Sequence, residues 1–164
     1  MSSTRARVIA GVRILIGIGF LWTGIRMLMN HDLLFGGLLH RLSETGGPVR
    51  FYRENFLRYI ERYETAVVYL SAAANIGAGF FFLTGTLISL TSLGAAALVL
   101  NYGLASSAGN WPRMLAHVVA ALLLVALGWL GAGLTWGVDG WLIQRFQDWL
   151  VLFPLRRKAP GKKE

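Results

Sequence analysis

Residues 65–112, TAVVYLSAAANIGAGFFFLTGTLISLTSLGAAALVLNYGLASSAGNWP, run for 48 positions without a charged side chain. One membrane-spanning helix needs about 20 predominantly apolar residues, so a run of this length predicts two spans joined by a short turn. Helices on the surface of a soluble domain would carry charged residues on their outer faces. Because the run is continuously apolar rather than alternating, it predicts helices and not the strands of a membrane barrel.

Two further apolar stretches flank this run. Residues 114–138 carry no charge, and residues 8–29 carry only Arg13 and Arg26. The sequence therefore predicts an all-α, integral membrane four-helix bundle with spans at about 8–29, 66–88, 91–109 and 113–136. In this prediction residues 1–140 form the transmembrane domain, with an outer loop at 30–64, and residues 141–164 form a separate amphipathic helix and basic tail.

Two segments outside the spans have the pattern of helices that lie in a membrane interface. After Pro48, an apolar and aromatic stripe recurs at helical spacing beside a charged face; its members are Tyr52, Phe56, Tyr59, Ile60 and Tyr63. The tail shows a similar stripe, made of Leu142, Phe146, Trp149, Leu150 and Phe153. These patterns predict an outer amphipathic loop helix and a cytoplasmic C-terminal interfacial helix. The first stripe could instead wall a quinone or lipid pocket, and the second could dock a larger partner.

The net charge of +8 is unevenly distributed along the chain. Basic residues concentrate at both ends, whereas the loop between the first two predicted spans is close to neutral. Four spans place both termini on one side, and the positive-inside rule makes that side cytoplasmic. We therefore expect a multi-pass protein of a bacterial or archaeal cytoplasmic (inner) membrane, with its basic tail on anionic lipids. No motif supports nucleic acid as a partner.

Polar side chains inside the predicted spans are the candidates for function, because each needs a partner in lipid. The chain has no cysteine, so it offers no thiolate for redox or metal chemistry. Arg13 and Arg26 lie near opposite ends of the first span, where each can snorkel to its own interface. Alternatively, Arg26 pairs with Glu61 or Glu64 in the loop, and Arg13 meets Asp139 at the cytoplasmic end.

Four other polar residues are predicted to lie within the bundle: Asn75, Asn101, Tyr102 and His117. Asn75 and Asn101 either join neighbouring helices by hydrogen bonds or contact a ligand. His117 is the one histidine within the predicted spans, and it either forms an ordinary interhelical hydrogen bond or contacts a quinone, a haem or a chlorophyll. No catalytic constellation or metal-ligand set is legible. We therefore name Arg26, Asn101 and His117 as candidates for contacting quinone or pigment, and Arg13, Asn75 and Asp139 as structural polar residues.

The order of several short motifs resembles the DoxX-like family of small four-span membrane proteins, which includes a membrane subunit of thiosulfate:quinone oxidoreductase. The resemblance covers roughly residues 10–145. RILIGIGFLWTGIRML at 13–28 resembles the family's opening, NIGAGFFFLTG at 75–85 its second span, and GLTWGVDGWL at 133–142 its closing motif with Asp139 retained. The family commonly has an acidic residue near the second-span glycines, where this chain has Asn75.

The resemblance implies a membrane subunit tied to quinone-linked or oxidant-related complexes. With the small-residue faces of the spans, it favours a non-catalytic accessory subunit of a larger quinone-linked respiratory or photosynthetic membrane complex. The alternative is the membrane subunit of a thiosulfate:quinone-type oxidoreductase, with the quinone near Arg26, Asn101 or His117. A stand-alone carrier of lipid or a small molecule is a third hypothesis. The partners expected are membrane lipids and that larger complex, and the ligands considered are quinone, lipid or a partner's pigment.

Overall fold

The computed structural model describes residues 3–44 and 47–145. Four helices in these residues are long and apolar enough to cross a membrane: α1 (Ser3–Met29), α6 (Glu64–Thr84), α7 (Ile88–Ser106) and α8 (Trp111–Trp129). Between α1 and α6 lie the short helices α2 (His31–Leu34), α3 (Leu38–Glu44), α4 (Arg50–Asn55) and α5 (Leu57–Arg62). A last helix, α9, covers Val138–Arg145. The described residues contain helices and no strands, as predicted.

The long helices pack as two antiparallel pairs. Helix α1 packs along α6, and α7 packs along α8, whereas α6 and α7 touch over a much smaller area. Glycine permits the close approach within the first pair, because a Cβ at Gly79 would lie 2.7 Å from the backbone nitrogen of Leu21. In the second pair, Gly103 faces the His117 side chain and Gly128 faces Ser92. Small residues at helix contacts are what lipid-embedded packing requires.

The bundle has an apolar interior and an apolar exterior. Its main buried cluster joins the four long helices and includes Phe82, Ile88, Ala95, Ala121, Leu124 and Leu127. Many large side chains on the same helices point outward, among them Leu15, Trp22, Leu70, Phe80, Leu122 and Leu123. A helix that is apolar on all sides belongs in lipid rather than in water.

The segment between α1 and α6 folds back over one end of the bundle, which we call the loop end. Thr65 Oγ1 donates a hydrogen bond to the Leu34 carbonyl, and Glu64 Oε1 accepts one from the Leu39 N–H. The Val49 N–H donates to the Leu104 carbonyl of α7. Side chains and backbone of the long helices thus hold this segment in place.

The loop segment differs in detail from the predicted amphipathic helix. Its continuous helix is interrupted at Phe56, which ends α4 and precedes α5. The predicted stripe is also divided, since Tyr52 and Ile60 are buried whereas Phe56, Tyr59 and Tyr63 are exposed. The break turns the two halves of the stripe in different directions, so that only part of it packs on the bundle.

Two predicted boundaries were wrong at the opposite end of the bundle, which we call the tail end. The turn between α6 and α7 lies at residues 85–87 rather than near 89–90, because Gly85 ends α6 with a left-handed backbone (φ 71°). Helix α8 ends at Trp129 and not near 136. Residues 130–137 form a segment of turns and bends that contains glycines. Three of its carbonyls accept hydrogen bonds from Arg13. The tail stripe from Phe146 onward and the basic tail lie outside the described residues.

Substitution of the two glycines of α6 should separate tight packing from open surface. We expect Gly79→Val to lower the free energy of unfolding by about 1–3 kcal/mol, the usual cost of overpacking, because its Cβ would press on the backbone of α1. Gly77→Val is the matched control, since no atom lies within 4 Å of its added Cβ. The measurement is thermal unfolding of both variants in the same detergent; equal melting temperatures would contradict this packing.

Candidate functional site

At the tail end, Arg13 is fully buried within the bundle. Its Nη1 donates hydrogen bonds to the carbonyls of Ala132 (2.9 Å) and Thr135 (3.4 Å), and its Nη2 donates to that of Trp136 (2.9 Å). The Nε atom has no hydrogen-bond partner in the described residues. Arg13 therefore does not snorkel to the interface, so that interpretation of it is wrong. Its guanidinium instead fastens α1 to the segment that follows α8.

Asp139 lies at the same end and is 3% exposed. Its Oδ1 accepts a hydrogen bond from the Leu87 N–H (2.7 Å), and its Oδ2 accepts one from the Ile88 N–H (2.9 Å). The residue before helix α7 is Leu87, which has a left-handed backbone. Its apolar side chain cannot accept a hydrogen bond, so α7 has no side-chain cap from its own N-cap residue. Asp139 therefore caps α7 from a distant part of the chain, and its negative charge suits a helix N-terminus.

Arg13 and Asp139 share one polar junction without touching. No salt bridge joins them within the described residues, so the predicted direct contact is wrong. They are near enough for the carboxylate to act electrostatically on the guanidinium. Gly85 and Gly137 leave the room that this junction needs, since a Cβ on either would collide with the Arg13 guanidinium. We call these four residues, with the carbonyls of 132–136, the tail junction.

A second feature is a crevice of about 450 Å³ that opens sideways between α1 and α8. These two helices hardly contact each other, because each packs on its own partner. The walls are apolar and include Ile16, Phe20, Val99 and Leu123. Its polar groups come from Asn75 of α6, Tyr102 of α7 and Thr23 of α1, and the Thr23 hydroxyl already donates a hydrogen bond to the Gly19 carbonyl of its own helix (2.9 Å). A mostly apolar cavity with a few placed polar groups is the usual form of a small-molecule site.

Asn75 and Tyr102 are hydrogen-bonded to each other across the α6–α7 contact. Asn75 Nδ2 donates to the Tyr102 hydroxyl and also to the Ser71 carbonyl of its own helix (2.7 Å). The Tyr102 hydroxyl in turn donates to Met27 Sδ of α1, 3.9 Å away. The chain of polar contacts thus crosses three helices. The sequence places Tyr102 beside Asn101 among the polar groups of the third span, but it assigns Tyr102 no ligand or structural role.

The candidates for contacting quinone or pigment lie apart from one another. Arg26 is exposed near the loop end of α1, with its guanidinium 6.0 Å from the Trp22 ring centre, and it forms no ion pair with Glu61 or Glu64. His117 Nδ1 bonds the Arg113 carbonyl of its own helix, 2.8 Å away. Asn101 Oδ1 accepts a hydrogen bond from the Tyr52 hydroxyl (3.0 Å). None of the three lines the crevice in the part of the chain that the structure describes.

The Tyr52–Asn101 bond joins α4 of the loop segment to α7. Burial raises the pKa of Tyr52 above its ordinary value. The neutral phenol is therefore favoured in the folded protein. The contribution of Tyr52 to stability is fully present below about pH 10, its pKa in an unfolded chain, and is lost as the pH rises through the higher folded pKa.

We expect Tyr52→Phe to lower the free energy of unfolding by about 1 kcal/mol, because it removes one hydrogen bond to Asn101 and keeps the ring. It should also remove one alkaline step from a tyrosine absorbance titration, because the raised pKa belongs to the deleted hydroxyl. Tyr59→Phe is the control, since Tyr59 is 68% exposed on the neighbouring helix. Chemical unfolding and the titration measure the two effects; an unchanged titration curve in Tyr52→Phe would contradict the burial argument.

Among known proteins, no family model, curated protein or solved structure matches this chain. The class of protein is given by the fold alone: a helical protein with four helices long and apolar enough to cross a membrane. Membership of the DoxX-like family stays a prediction from the sequence motifs.

Proposed function

We propose that this chain is a DoxX-like, non-catalytic accessory subunit of a larger quinone-linked respiratory or photosynthetic membrane complex. The observation that carries the proposal is the outward position of small residues on α6 and α7. Gly77 and Gly94 lie in these helices with no atom within 4 Å of an added Cβ, and Ala73 and Ala97 on the same helices are exposed. Small outward faces let a helix of another protein approach the backbone closely in lipid.

The use of the buried polar groups supports the same proposal. Arg13 and Asp139 bind backbone groups of this chain, and Asn75 bonds a helix neighbour. These residues join segments of the bundle to one another. A rigid bundle with an apolar exterior suits a subunit that packs at the edge of a complex. In this proposal both termini are cytoplasmic, in the inner membrane of a bacterium or archaeon.

The test is purification of the tagged full chain from native membranes in mild detergent, with mass spectrometry of the co-purifying chains and an absorption spectrum. We expect a stoichiometric membrane partner that carries haem or chlorophyll. Gly77→Leu and Gly94→Leu should reduce recovery of that partner without changing the stability of the isolated chain, because both glycines face open space. Gly11→Leu is the control, since Gly11 also faces open space but lies on α1. A lone chain from native membranes would overturn the proposal.

A second candidate function is the membrane subunit of a thiosulfate:quinone-type oxidoreductase. The crevice favours it, because a cavity that opens sideways between helices is accessible to a molecule dissolved in the bilayer. The discriminating measurement is quinone extracted from the purified native protein, together with thiosulfate-dependent quinone reduction. Stoichiometric quinone with that activity would favour the oxidoreductase over the accessory subunit.

A further inference from the structure

The crevice between α1 and α8 contains hydrogen-bonding capacity that the protein does not use. Asn75 is 1% exposed, and its Nδ2 already donates two hydrogen bonds. Its Oδ1 accepts no hydrogen bond within the described residues, although a carbonyl oxygen has two lone pairs. In lipid, an unpaired carbonyl has no water to bind and is costly. A hydrogen-bond donor on a molecule dissolved in the bilayer would satisfy this oxygen.

The Tyr102 hydroxyl complements this free acceptor. Its oxygen accepts from Asn75, and its proton is directed to Met27 Sδ at 3.9 Å. A thioether sulfur is a weak acceptor, so an oxygen placed beside Tyr102 would compete for that proton. The crevice thus offers one acceptor, Asn75 Oδ1, and one donor, the Tyr102 hydroxyl, on adjacent side chains.

A single hydroxyl group can match both atoms. A hydroxyl donates its own proton to Asn75 Oδ1 and accepts the proton of Tyr102. An ether or a ketone can only accept, and an acyl chain can do neither. We propose that the crevice is a binding site for a membrane-dissolved alcohol or phenol, held by its hydroxyl between Asn75 and Tyr102.

The dimensions and walls of the crevice suit such a molecule. Its volume of about 450 Å³ lies within the range of about 300–1,000 Å³ typical of small-ligand sites. The walls from Ile16, Phe20, Val99 and Leu123 would enclose an apolar ring or isoprenoid chain. Its side opening allows entry from lipid. This site is separate from Arg26, Asn101 and His117, and it does not depend on whether the chain is an accessory subunit.

Gly19 provides a means of closing the crevice without disturbing the fold. It lines the crevice on α1, and no atom lies within 4 Å of a Cβ added there. A leucine side chain at this position would occupy part of the crevice and exclude the ligand by steric overlap. Gly11→Leu is the matched control, because Gly11 lies on the same helix, also faces open space and does not line the crevice.

The experiment uses the purified full chain in lipid nanodiscs and a farnesol analogue with a diazirine in its tail. Labelled peptides are mapped by mass spectrometry, with farnesol and farnesyl methyl ether as competitors. We expect labelling of α1 and α8, and competition by farnesol at concentrations about fivefold or more below those of the ether, as the loss of one hydrogen bond implies. Gly19→Leu should abolish this labelling, whereas Gly11→Leu should retain it.

The polar variants test the hydroxyl itself. Tyr102→Phe should weaken farnesol binding about fivefold. Asn75→Leu should remove the difference between farnesol and its ether, and Tyr69→Phe, at an exposed tyrosine of α6 outside the crevice, should change nothing. Should Asn75→Leu fail to fold, the comparison of farnesol with its ether on the wild-type chain still decides. Equal competition by the two, or equal labelling of Gly19→Leu and Gly11→Leu, would overturn the proposal.

Discussion

Asp139→Ala should lower the free energy of unfolding by about 3–5 kcal/mol, because it removes two hydrogen bonds to a buried carboxylate and each such bond is worth about 1.5–3 kcal/mol. The substitution leaves the Leu87 and Ile88 N–H groups without their acceptors at the start of α7. It also leaves the buried Arg13 guanidinium without a nearby negative charge. The measurement is thermal and chemical unfolding of the full chain in one detergent.

Two companion variants make the Asp139 result specific. Asp139→Asn keeps the size and one acceptor oxygen but loses the charge, so we expect a smaller loss of stability. Asp32→Ala removes an exposed carboxylate from the loop segment and should have no measurable effect. A melting temperature for Asp139→Ala equal to that of the wild type would show that the carboxylate does not hold α7.

Arg13→Leu should destabilise the protein by a similar amount, about 3–5 kcal/mol, because hydrogen bonds from a charged donor are each worth about 1.5–3 kcal/mol. It removes the donors for the carbonyls of Ala132, Thr135 and Trp136 and also the positive charge that interacts with the Asp139 carboxylate. Arg13→Lys should not restore stability, because a single ammonium cannot reproduce the planar fork that reaches three carbonyls. Arg26→Leu is the control, since Arg26 is exposed at the other end of the same helix.

The Arg13–Asp139 double variant tests whether the tail junction acts as one unit. Residues that share a polar network show coupling energies of about 0.5–3 kcal/mol, whereas distant residues are additive. We expect the loss in Arg13→Leu/Asp139→Ala to be smaller than the sum of the two single losses. Each single change already removes the electrostatic interaction between the two charges, so the double change loses it only once. Strict additivity would show that the two residues stabilise the protein independently, in spite of sharing one end of the bundle.

The tail junction also explains why the fourth long helix ends earlier than the sequence predicts. The sequence predicts that GLTWGVDG ends the fourth span, since residues 114–138 carry no charge. The structure ends α8 at Trp129, and Gly131 follows it with a left-handed backbone (φ 67°). Apolar composition does not distinguish a helix from a tight segment whose carbonyls are satisfied by a distant arginine. That donor is 119 positions away from Ala132, beyond the reach of any local pattern.

The site residues show the same limit. Asn75 could be named from the sequence because an amide in a charge-free helix needs a partner, but that partner, Tyr102, depends on how α6 and α7 are aligned. Asn101 was predicted to join helices of the bundle, and the structure instead pairs it with Tyr52 of the loop segment. His117 was predicted to bond between helices or to contact a ligand, and in the structure its Nδ1 bonds the Arg113 carbonyl of its own helix. The sequence could identify these polar residues as candidates, but it could not predict their partners.

By itself, the sequence determined the all-helical class and the presence of four helices able to cross a membrane. Composition and run length suffice for this, because the cost of exposing backbone or charge in lipid is local to each segment. Only the tertiary structure decided that the helices form two pairs, that Arg13 is buried beside Asp139, and that a crevice separates α1 from α8. The reason is that in lipid the apolar surface is the same on every side of a helix. Helix arrangement then depends on where glycines permit contact and where a few polar groups find partners, both of which are properties of pairs of segments.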